Sequence, residues 1–215
     1  MSTASKNSTI AKNGIQAEKG IELQEDVKEA MEHYFQSPIQ SITRITRKKY
    51  DLHIQFKNGT TTTLQNKNGH GTGRGWSVDR RDVNGFNDEP LTTLLKTMCL
   101  KQGTERPIVP DTISKQVINL CMLGEDYPDY FTHTTTTNGR IKTMSICRTD
   151  TLMEFMYGNL YHSMVPKITC VHLNSNCYLQ RKGSKKDNRA DDIQMKFRLT
   201  DELGPLFIPI FPISP

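Results

Sequence analysis

The segment from Tyr50 to Lys67 constrains the fold of this chain more than any other, because it predicts a β-hairpin. In the run LHIQF three apolar residues alternate with polar ones, and a run of threonines follows. A period of two is typical of a strand with one buried face. The dipeptide Asn58-Gly59 between the two halves is a strong signal for a tight hairpin turn. We therefore expect two antiparallel strands that are direct neighbours in a sheet.

Three polar side chains are predicted to meet at the open end of this hairpin. Asp51 begins the first strand, while Gln65 and Lys67 end the second and share a face because they are two residues apart. Mg²⁺ takes oxygen ligands from carboxylates and amides and completes its shell with water and substrate phosphate. A nearby ammonium could orient the attacking water or offset charge on the phosphorane. The pattern predicts phosphodiester hydrolysis, with Asp51 and Gln65 binding metal and Lys67 acting on the water.

An acid followed by Gln65-Asn66-Lys67 resembles the motif of the PD-(D/E)xK nuclease superfamily, in the variant where glutamine replaces the second acid. The whole chain is similar to a small type II restriction endonuclease, although Tyr50 stands where the motif has proline. The resemblance implies an α/β fold in which helices flank a mixed central sheet. It also implies Mg²⁺ as cofactor and sequence-specific cleavage of double-stranded DNA. A homodimer is expected because palindromic sites match two-fold symmetry.

The resemblance further implies a supplementary acid on the first helix, and Glu18 is the matching position. Apolar residues from Leu23 onward predict a helix between Gly14 and Phe35. At 100° per residue, a continuous helix would place Glu18 almost opposite this apolar stripe, on the solvated surface. A kink at Gly20 would free the first turn to face elsewhere. A second acid is chemically expected, since one carboxylate and one amide compensate the charge of Mg²⁺ poorly.

The net charge of +5 arises from 28 basic and 23 acidic residues, and the bases are clustered, which favours an anionic partner such as nucleic acid. The glycine-rich run NGHGTGRGWSVDRRD directly after the hairpin predicts a loop that contacts DNA phosphates. Its contact residues would be His70, Arg74, Arg80 and Arg81. The alternative is a flexible glycine linker with solvated charges.

A ribbon near the C-terminus is predicted to read DNA bases, since a two-stranded ribbon fits the major groove and Gln, Arg and Lys pair with base edges there. Its strands are 168–173, 177–180 and 193–199. The candidate contacts are Gln180, Arg181, Lys182, Lys185, Lys186, Arg189, Gln194 and Lys196. The alternatives are a polar sheet face that meets water, or a second QxK motif, Gln180 to Lys182, that is itself catalytic. No acid lies on the strand before that second motif.

The remaining pattern predicts helices at 90–103, 113–123 and 151–157, a strand at 39–45, a polar turn at 132–139 and a strand at 141–147. The proline-rich ending predicts an extended tail rather than a central strand. Residues 1–12 are expected to be disordered. Residues 13–215 are expected to form one nuclease domain, with its core in 13–90 and a helical and recognition part in 91–215.

Several classes of protein are disfavoured. Five cysteines without a CxxC pair argue against a disulfide framework and against structural zinc. No apolar run is long enough to span a bilayer and the N-terminus lacks an apolar signal region, so a cytoplasmic protein without membrane contact is expected. Two alternatives to the restriction endonuclease are a repair or structure-selective nuclease and a non-catalytic nucleic-acid-binding protein.

Overall fold

The structure is a computed structural model that describes residues 14–46, 48–69, 76–82, 111–122, 126–161, 165–167, 170–181, 192–198 and 204–212. Its helices are α1 (14–23), α2 (Glu25–Phe35), α3 (Asp111–Met122) and α4 (Thr149–Gly158). Its strands are β1 (Ile39–Arg44), β2 (Leu52–Phe56), β3 (Thr61–Asn68), β4 (Trp76–Asp82), β5 (Tyr130–Thr137), β6 (Arg140–Arg148), β7 (Val165–Lys167), β8 (Cys170–His172), β9 (Cys177–Arg181), β10 (Asp192–Phe197) and β11 (Ile208–Phe211).

The chain divides into two compact units that interleave along the sequence. The first unit contains Met1–Gly71, Glu125–Leu152 and Gly204–Pro215, and the second contains Thr72–Gly124 and Met153–Leu203. The single nuclease domain predicted for residues 13–215 stays a prediction. The helix predicted at 90–103 and the disorder predicted for residues 1–12 lie outside the described residues. No helix in the described ranges combines the length and the apolar character needed to cross a membrane.

A six-stranded sheet with the order β1-β2-β3-β5-β6-β11 forms the first unit. Only the β3–β5 pair is parallel among these neighbours, so the sheet is mixed. The β2–β3 hairpin has Leu52 opposite Leu64, and Gly59 in its turn has φ of 86°, which glycine adopts without strain. The α/β class, the mixed central sheet and the hairpin at its centre are therefore confirmed. The proline-rich ending supplies the edge strand β11, where proline is tolerated.

The core of the first unit lies between this sheet and the first two helices. Leu52, Ile54 and Leu64 from the hairpin pack with Val27 and Met31 of α2, and all five are fully buried. Burying a side chain of this kind contributes about 1.5–3 kcal/mol relative to leaving it in water. This packing fixes which face of the hairpin meets the helices, and so fixes the register of the strands that carry the polar cluster.

The predicted helix over 14–35 is two helices, because the backbone is extended at Gln24, with φ of −89° and ψ of 113°. The side chain of Gln24 accepts a hydrogen bond of 2.7 Å from the backbone N–H of Ile141. The helix is therefore broken at Gln24 and not at Gly20, the position considered as an alternative, which is helical. A Cβ on Gly20 would lie 2.9 Å from Cγ1 of Ile141, so glycine allows α1 to approach β6 closely.

The polar turn predicted at 132–139 is also wrong, because most of it is strand β5. This strand pairs with β3 on one side and with β6 on the other. The turn is confined to Asn138 and Gly139, which both have positive φ. Threonine is β-branched and favours strands, and its hydroxyl can bond to a neighbour when the strand is buried. The threonine run at 134–137 is therefore better interpreted as part of a strand, although its residues are polar.

A second sheet, with the order β4-β10-β9-β8-β7, forms the second unit. All four of its strand pairs are antiparallel. The strands predicted for the ribbon are confirmed, but β9 and β10 lie inside a five-stranded sheet rather than in an isolated ribbon. Arg80 and Arg81 belong to strand β4, so their assignment to a loop is wrong. The helices predicted at 113–123 and 151–157 are confirmed as α3 and α4.

Candidate functional site

Asp51 is fixed by backbone hydrogen bonds at the open end of the hairpin. Its N–H donates to the carbonyl of Leu64 at 2.9 Å, and its carbonyl accepts from Ile45 at 2.8 Å. Its carboxylate oxygen Oδ2 accepts from the backbone N–H of Asn66 at 2.8 Å. Burial raises the pKa of this carboxyl group, while Lys67, the Asn66 N–H and Arg44 each lower it. Asp51 is therefore a partly buried carboxylate held between the end of β1 and β3.

Lys67 lies two residues beyond Gln65 on β3 and is partly buried. Burial lowers the pKa of its ammonium group, and the charges of Asp51 and Glu18 act in the opposite direction. The ammonium is thus electrostatically coupled to both acids. A lysine with a lowered pKa releases its proton more readily than an exposed lysine, which suits a group that activates water.

Gln65 is 6% exposed, and its amide oxygen Oε1 is fully buried without a hydrogen-bond donor among the described residues. Leaving a buried acceptor unsatisfied costs about 1–3 kcal/mol. Most such groups in folded proteins have a partner. An orphaned oxygen in this position fits a site that receives a cation.

Glu18 is not on a solvated surface, so that expectation is wrong. Its Oε2 lies 2.9 Å from Nη2 of Arg44, and its side chain is only 18% exposed. The expectation assumed that the apolar stripe of the helix includes Leu23, but Leu23 is 72% exposed. The residues that α1 buries are Ala17 and Ile21, so its buried face differs from the one that the sequence pattern predicted. Burial raises the pKa of the Glu18 carboxyl group, the hydrogen bond from Arg44 lowers it, and Asp51 raises it.

The combination of two carboxylates and one buried amide oxygen suits a hard cation. Oxygen-only donors favour Mg²⁺, Ca²⁺ or Mn²⁺ over zinc or copper. Within the described ranges, no group of three or more His, Cys, Asp and Glu side chains is arranged to hold a metal ion. A metal at this site would therefore need the Gln65 amide in addition to Asp51 and Glu18.

His133 was missed by the sequence analysis. It lies directly opposite Lys67 on β5, and side chains opposite each other on neighbouring strands share a face. Burial lowers the pKa of its imidazole, while a hydrogen bond with the Gly69 backbone acts in the opposite direction. Its position beside Lys67 depends on the parallel pairing of β3 with β5, which no local pattern in the sequence indicates.

Some of the predicted DNA contacts share one face of the second sheet. Gln194 of β10 is directly opposite Gln180 of β9 and also opposite Arg80 of β4. Lys196 lies two residues further along the same face. These glutamines and this lysine are partly exposed, whereas Met195 between them is buried. The structure therefore brings Gln180, Gln194 and Lys196 together as the polar face of β9 and β10.

An aromatic and basic cluster borders this polar face. The ring of Tyr178 stacks on His172, with 5.1 Å between the ring centroids, and the Arg198 guanidinium lies 5.0 Å from the Tyr178 centroid. Arg181 is on β9, but its side chain is not described. His70, Arg74, Lys182, Lys185, Lys186 and Arg189 lie outside the described residues, so their predicted roles stay predictions.

At its two described positions, Gln180 and Arg181, the second QxK motif is paired with no acid. Gln180 is opposite Cys170 on one side and Gln194 on the other. Asp51, in contrast, contacts the backbone of the first QxK motif directly. This difference favours the hairpin as the catalytic element.

No protein-family model matches this chain, and no curated protein matches it in sequence. Among solved structures, the chain is similar to the crystal structure of restriction endonuclease MspI in complex with its cognate DNA. The two chains are 12% identical, the match covers 91% of this chain and 93% of that chain, and the TM-score is 0.48. Since a fold supports many activities, function has to be inferred from the side chains described above.

Proposed function

We propose that this protein is a Mg²⁺-dependent endonuclease that cleaves double-stranded DNA at a specific sequence, as type II restriction endonucleases do. One observation carries the proposal: the partly buried Asp51 carboxylate, which the Asn66 N–H holds, is electrostatically coupled to the Lys67 ammonium. The same strand carries Gln65, whose amide oxygen is buried without a donor among the described residues. This combination of groups has little value for stability, because each of them is desolvated. It has a clear use in phosphodiester hydrolysis.

Asp51 and Gln65 would hold Mg²⁺, with Glu18 as the second carboxylate. When bound, Mg²⁺ polarises the scissile phosphate and favours ionisation of a coordinated water. The Arg44 ion pair restrains the Glu18 side chain, and the Asn66 N–H restrains the Asp51 carboxylate. Both acids are thus oriented by the protein itself.

Lys67 is the residue that acts on the attacking water. Burial lowers the pKa of its ammonium group, which favours the neutral amine, the form that would accept a proton from the water. The resulting ammonium then offsets negative charge as it develops on the phosphorane. The ammonium then has to lose this proton to bulk water before the next turnover, and the lowering of its pKa by burial favours that loss.

The polar face of β9 and β10 would supply sequence recognition. Glutamine can pair bidentately with adenine, and lysine can donate to O6 and N7 of guanine. Gln180, Gln194 and Lys196 are the contacts proposed on this face, with Arg80 opposite Gln194. A homodimer would present two such faces to the two halves of a palindromic site.

The proposal is tested by incubating the purified protein with unmethylated phage DNA in the presence of Mg²⁺ or of EDTA. Lys67→Ala is compared with Lys57→Ala, which changes an exposed lysine at the turn of the same hairpin. We expect discrete fragments that require Mg²⁺, disappear with Lys67→Ala and persist with Lys57→Ala.

Other outcomes identify the alternatives. Smears would indicate a nuclease without sequence specificity, and discrete fragments from Lys67→Ala would move catalysis away from the hairpin. Uncut DNA that is nevertheless shifted on a gel in a salt-sensitive way would identify a non-catalytic nucleic-acid-binding protein.

A further inference from the structure

Asn66, the middle residue of the Gln65-Asn66-Lys67 motif, is a buried polar residue in the centre of the sheet. It is 7% exposed, and its backbone N–H donates to Oδ2 of Asp51 at 2.8 Å. Its side chain lies on the opposite face of β3 from Gln65 and Lys67, because side chains alternate along a strand. The backbone of Asn66 thus holds the proposed metal ligand, while its side chain is engaged elsewhere.

Two hydroxyl groups from β5 hold the Asn66 side chain. Thr132 donates to Oδ1 of Asn66 at 3.0 Å, and Thr134 donates to the same oxygen at 3.1 Å. Both threonines have no exposed surface. The three side chains form a buried polar cluster, which we call the Asn66 clamp, across the parallel β3–β5 pair.

Stability alone does not explain the Asn66 clamp. Asparagine is disfavoured inside strands, and Nδ2 of Asn66 is buried without a hydrogen-bond partner among the described residues. A valine or isoleucine would fill this position without an unsatisfied donor. Buried hydrogen-bonded groups fix orientation more strictly than apolar contacts do, because a small displacement breaks the bond in a low-dielectric environment.

We propose that Asn66 is a positioning residue: the hydroxyls of Thr132 and Thr134 hold its side chain, and this keeps its backbone N–H on the Asp51 carboxylate. The inference rests on the proposed role of the hairpin in DNA cleavage. The clamp fixes the direction of the Asp51 side chain and does not touch the substrate. Its loss slows the chemical step and leaves DNA binding intact.

The chain provides a matched control on the same two strands. Asn68 donates from Nδ2 to Oγ1 of Thr136 at 3.2 Å, two residues beyond Asn66 on β3. This pair also joins an asparagine of β3 to a threonine hydroxyl of β5, two residues away from the Asn66 N–H that bonds to Asp51. Thr136→Val therefore removes the same kind of hydroxyl from the same parallel pair, without touching the clamp.

The experiment compares the double variant Thr132→Val/Thr134→Val with Thr132→Ser/Thr134→Ser and with Thr136→Val. Steady-state cleavage of a duplex oligonucleotide in Mg²⁺ gives kcat and KM. Hydrogen exchange of the Asn66 backbone amide reports the bond to Asp51. For the valine variant we expect kcat to fall about 10–100-fold, the range for loss of a group that orients a metal ligand. KM stays within about two-fold, and Asn66 exchanges at least about ten-fold faster.

The serine variant keeps both hydroxyls and is expected to retain most of kcat, and Thr136→Val is expected to behave as wild type. The single variants Thr132→Val and Thr134→Val are measured as well, since each keeps one donor on Asn66 and preserves folding better than the double variant. An unchanged kcat in the valine variants, or an equal loss in Thr136→Val, would overturn the proposal.

Hydrogen exchange separates a failure of this inference from a failure of the proposed function. If the wild-type protein does not cleave DNA, the Asn66 amide still reports on the clamp. Faster exchange in the valine variants alone would support the tie from β5 through Asn66 to Asp51. Equal exchange in all variants would refute that tie, whatever the activity.

Discussion

Glu18 and Arg44 form an ion pair between the first helix and the first strand, with 2.9 Å between the carboxylate Oε2 and the guanidinium Nη2. Arg44 also lowers the pKa of the Asp51 carboxyl group. One guanidinium thus acts on both proposed metal-binding acids, which reduces their mutual repulsion while the cation is absent. This arrangement allows two partly buried carboxylates to lie close together in the folded protein.

Glu18→Gln is expected to weaken metal use because it removes the second negative charge from the site. The Mg²⁺ concentration for half-maximal cleavage should rise at least about ten-fold, the lower end of the range for groups around a metal site. Mg²⁺ titration of the cleavage rate measures this. Glu22→Gln, one turn further along α1, is the control and should leave the titration unchanged. Identical curves for Glu18→Gln and wild type would remove Glu18 from the site.

Asp51→Asn is expected to abolish cleavage and to stabilise the protein at neutral pH. The pKa of Asp51 is raised by burial, so the folded state binds this proton more tightly than the unfolded state. The destabilising effect of the charge is therefore fully present at neutral pH, and it disappears as the pH falls through the folded pKa toward the unfolded value. Asparagine keeps an oxygen for the Asn66 N–H and carries no charge.

Thermal unfolding in EDTA measures this effect. We expect Asp51→Asn to raise Tm at neutral pH by about 2–4 °C, the shift that 1 kcal/mol produces in a domain of this size. The difference should narrow as the pH falls through the raised pKa of the wild-type carboxyl group in the folded state and should vanish below the ordinary range of an aspartate. A lower Tm for Asp51→Asn at neutral pH would contradict the assignment of Asp51 as a desolvated carboxylate.

Lys67→Arg separates proton transfer from positive charge alone. Arginine keeps the charge but does not lose its proton in proteins, whereas burial lowers the pKa of Lys67. If Lys67 accepts a proton from water, kcat should fall about 10²–10⁴-fold, the contribution of a general base. Single-turnover cleavage of a duplex at saturating Mg²⁺ measures the step, with Lys57→Arg as the control. Near wild-type turnover by Lys67→Arg would show that charge alone is sufficient.

Gln194→Ala and Lys196→Ala should affect DNA recognition in different ways. Loss of a bidentate glutamine contact removes about 1–3 kcal/mol of discrimination at one base pair, so Gln194→Ala should cut sites that differ at that position. Lys196 is proposed to donate to O6 and N7 of guanine, so Lys196→Ala should relax specificity at a G·C pair instead, and the loss of a positive charge should also reduce the salt dependence of binding. Cleavage of single-substituted sites and salt titrations of binding measure the two effects. Unchanged specificity in Gln194→Ala would exclude base reading by this glutamine.

The hairpin and its polar cluster could be predicted from sequence because their determinants are local. A period of two, the Asn58-Gly59 turn and the spacing of Gln65 and Lys67 all lie within 18 residues. Asp51 and Asn66 are 15 positions apart in the sequence, and the hairpin turn is sufficient to bring them into contact. The placement of Asp51 beside the Gln65-Asn66-Lys67 segment therefore follows from the same signals that define the hairpin.

The parts that were not predicted depend on contacts distant in sequence. The break at Gln24 occurs without glycine or proline, because the Gln24 side chain bonds to a backbone group 117 positions away. The polar threonines of β5 can be buried because their hydroxyl groups bond to Asn66, which lies 66 positions before Thr132 in the sequence. The position of Glu18 depended on that helix break, and the position of His133 depended on that strand. The local pattern of apolar and polar residues predicts neither the contact of Gln24 with Ile141 nor that of Thr132 with Asn66.

The parallel pairing of β3 with β5 also determines when the site is completed during folding. The hairpin closes between residues near in sequence, whereas β5 follows the segment Thr72–Gly124 of the second unit. Non-local pairings of this kind form late, because the closure of a long loop is entropically unfavourable until many contacts compensate it. A nascent chain that has left the ribosome only as far as the hairpin would already contain Asp51, Gln65 and Lys67. It would lack the hydroxyls of Thr132 and Thr134, so the proposed active site would be completed only after synthesis has passed residues 72–124 of the second unit.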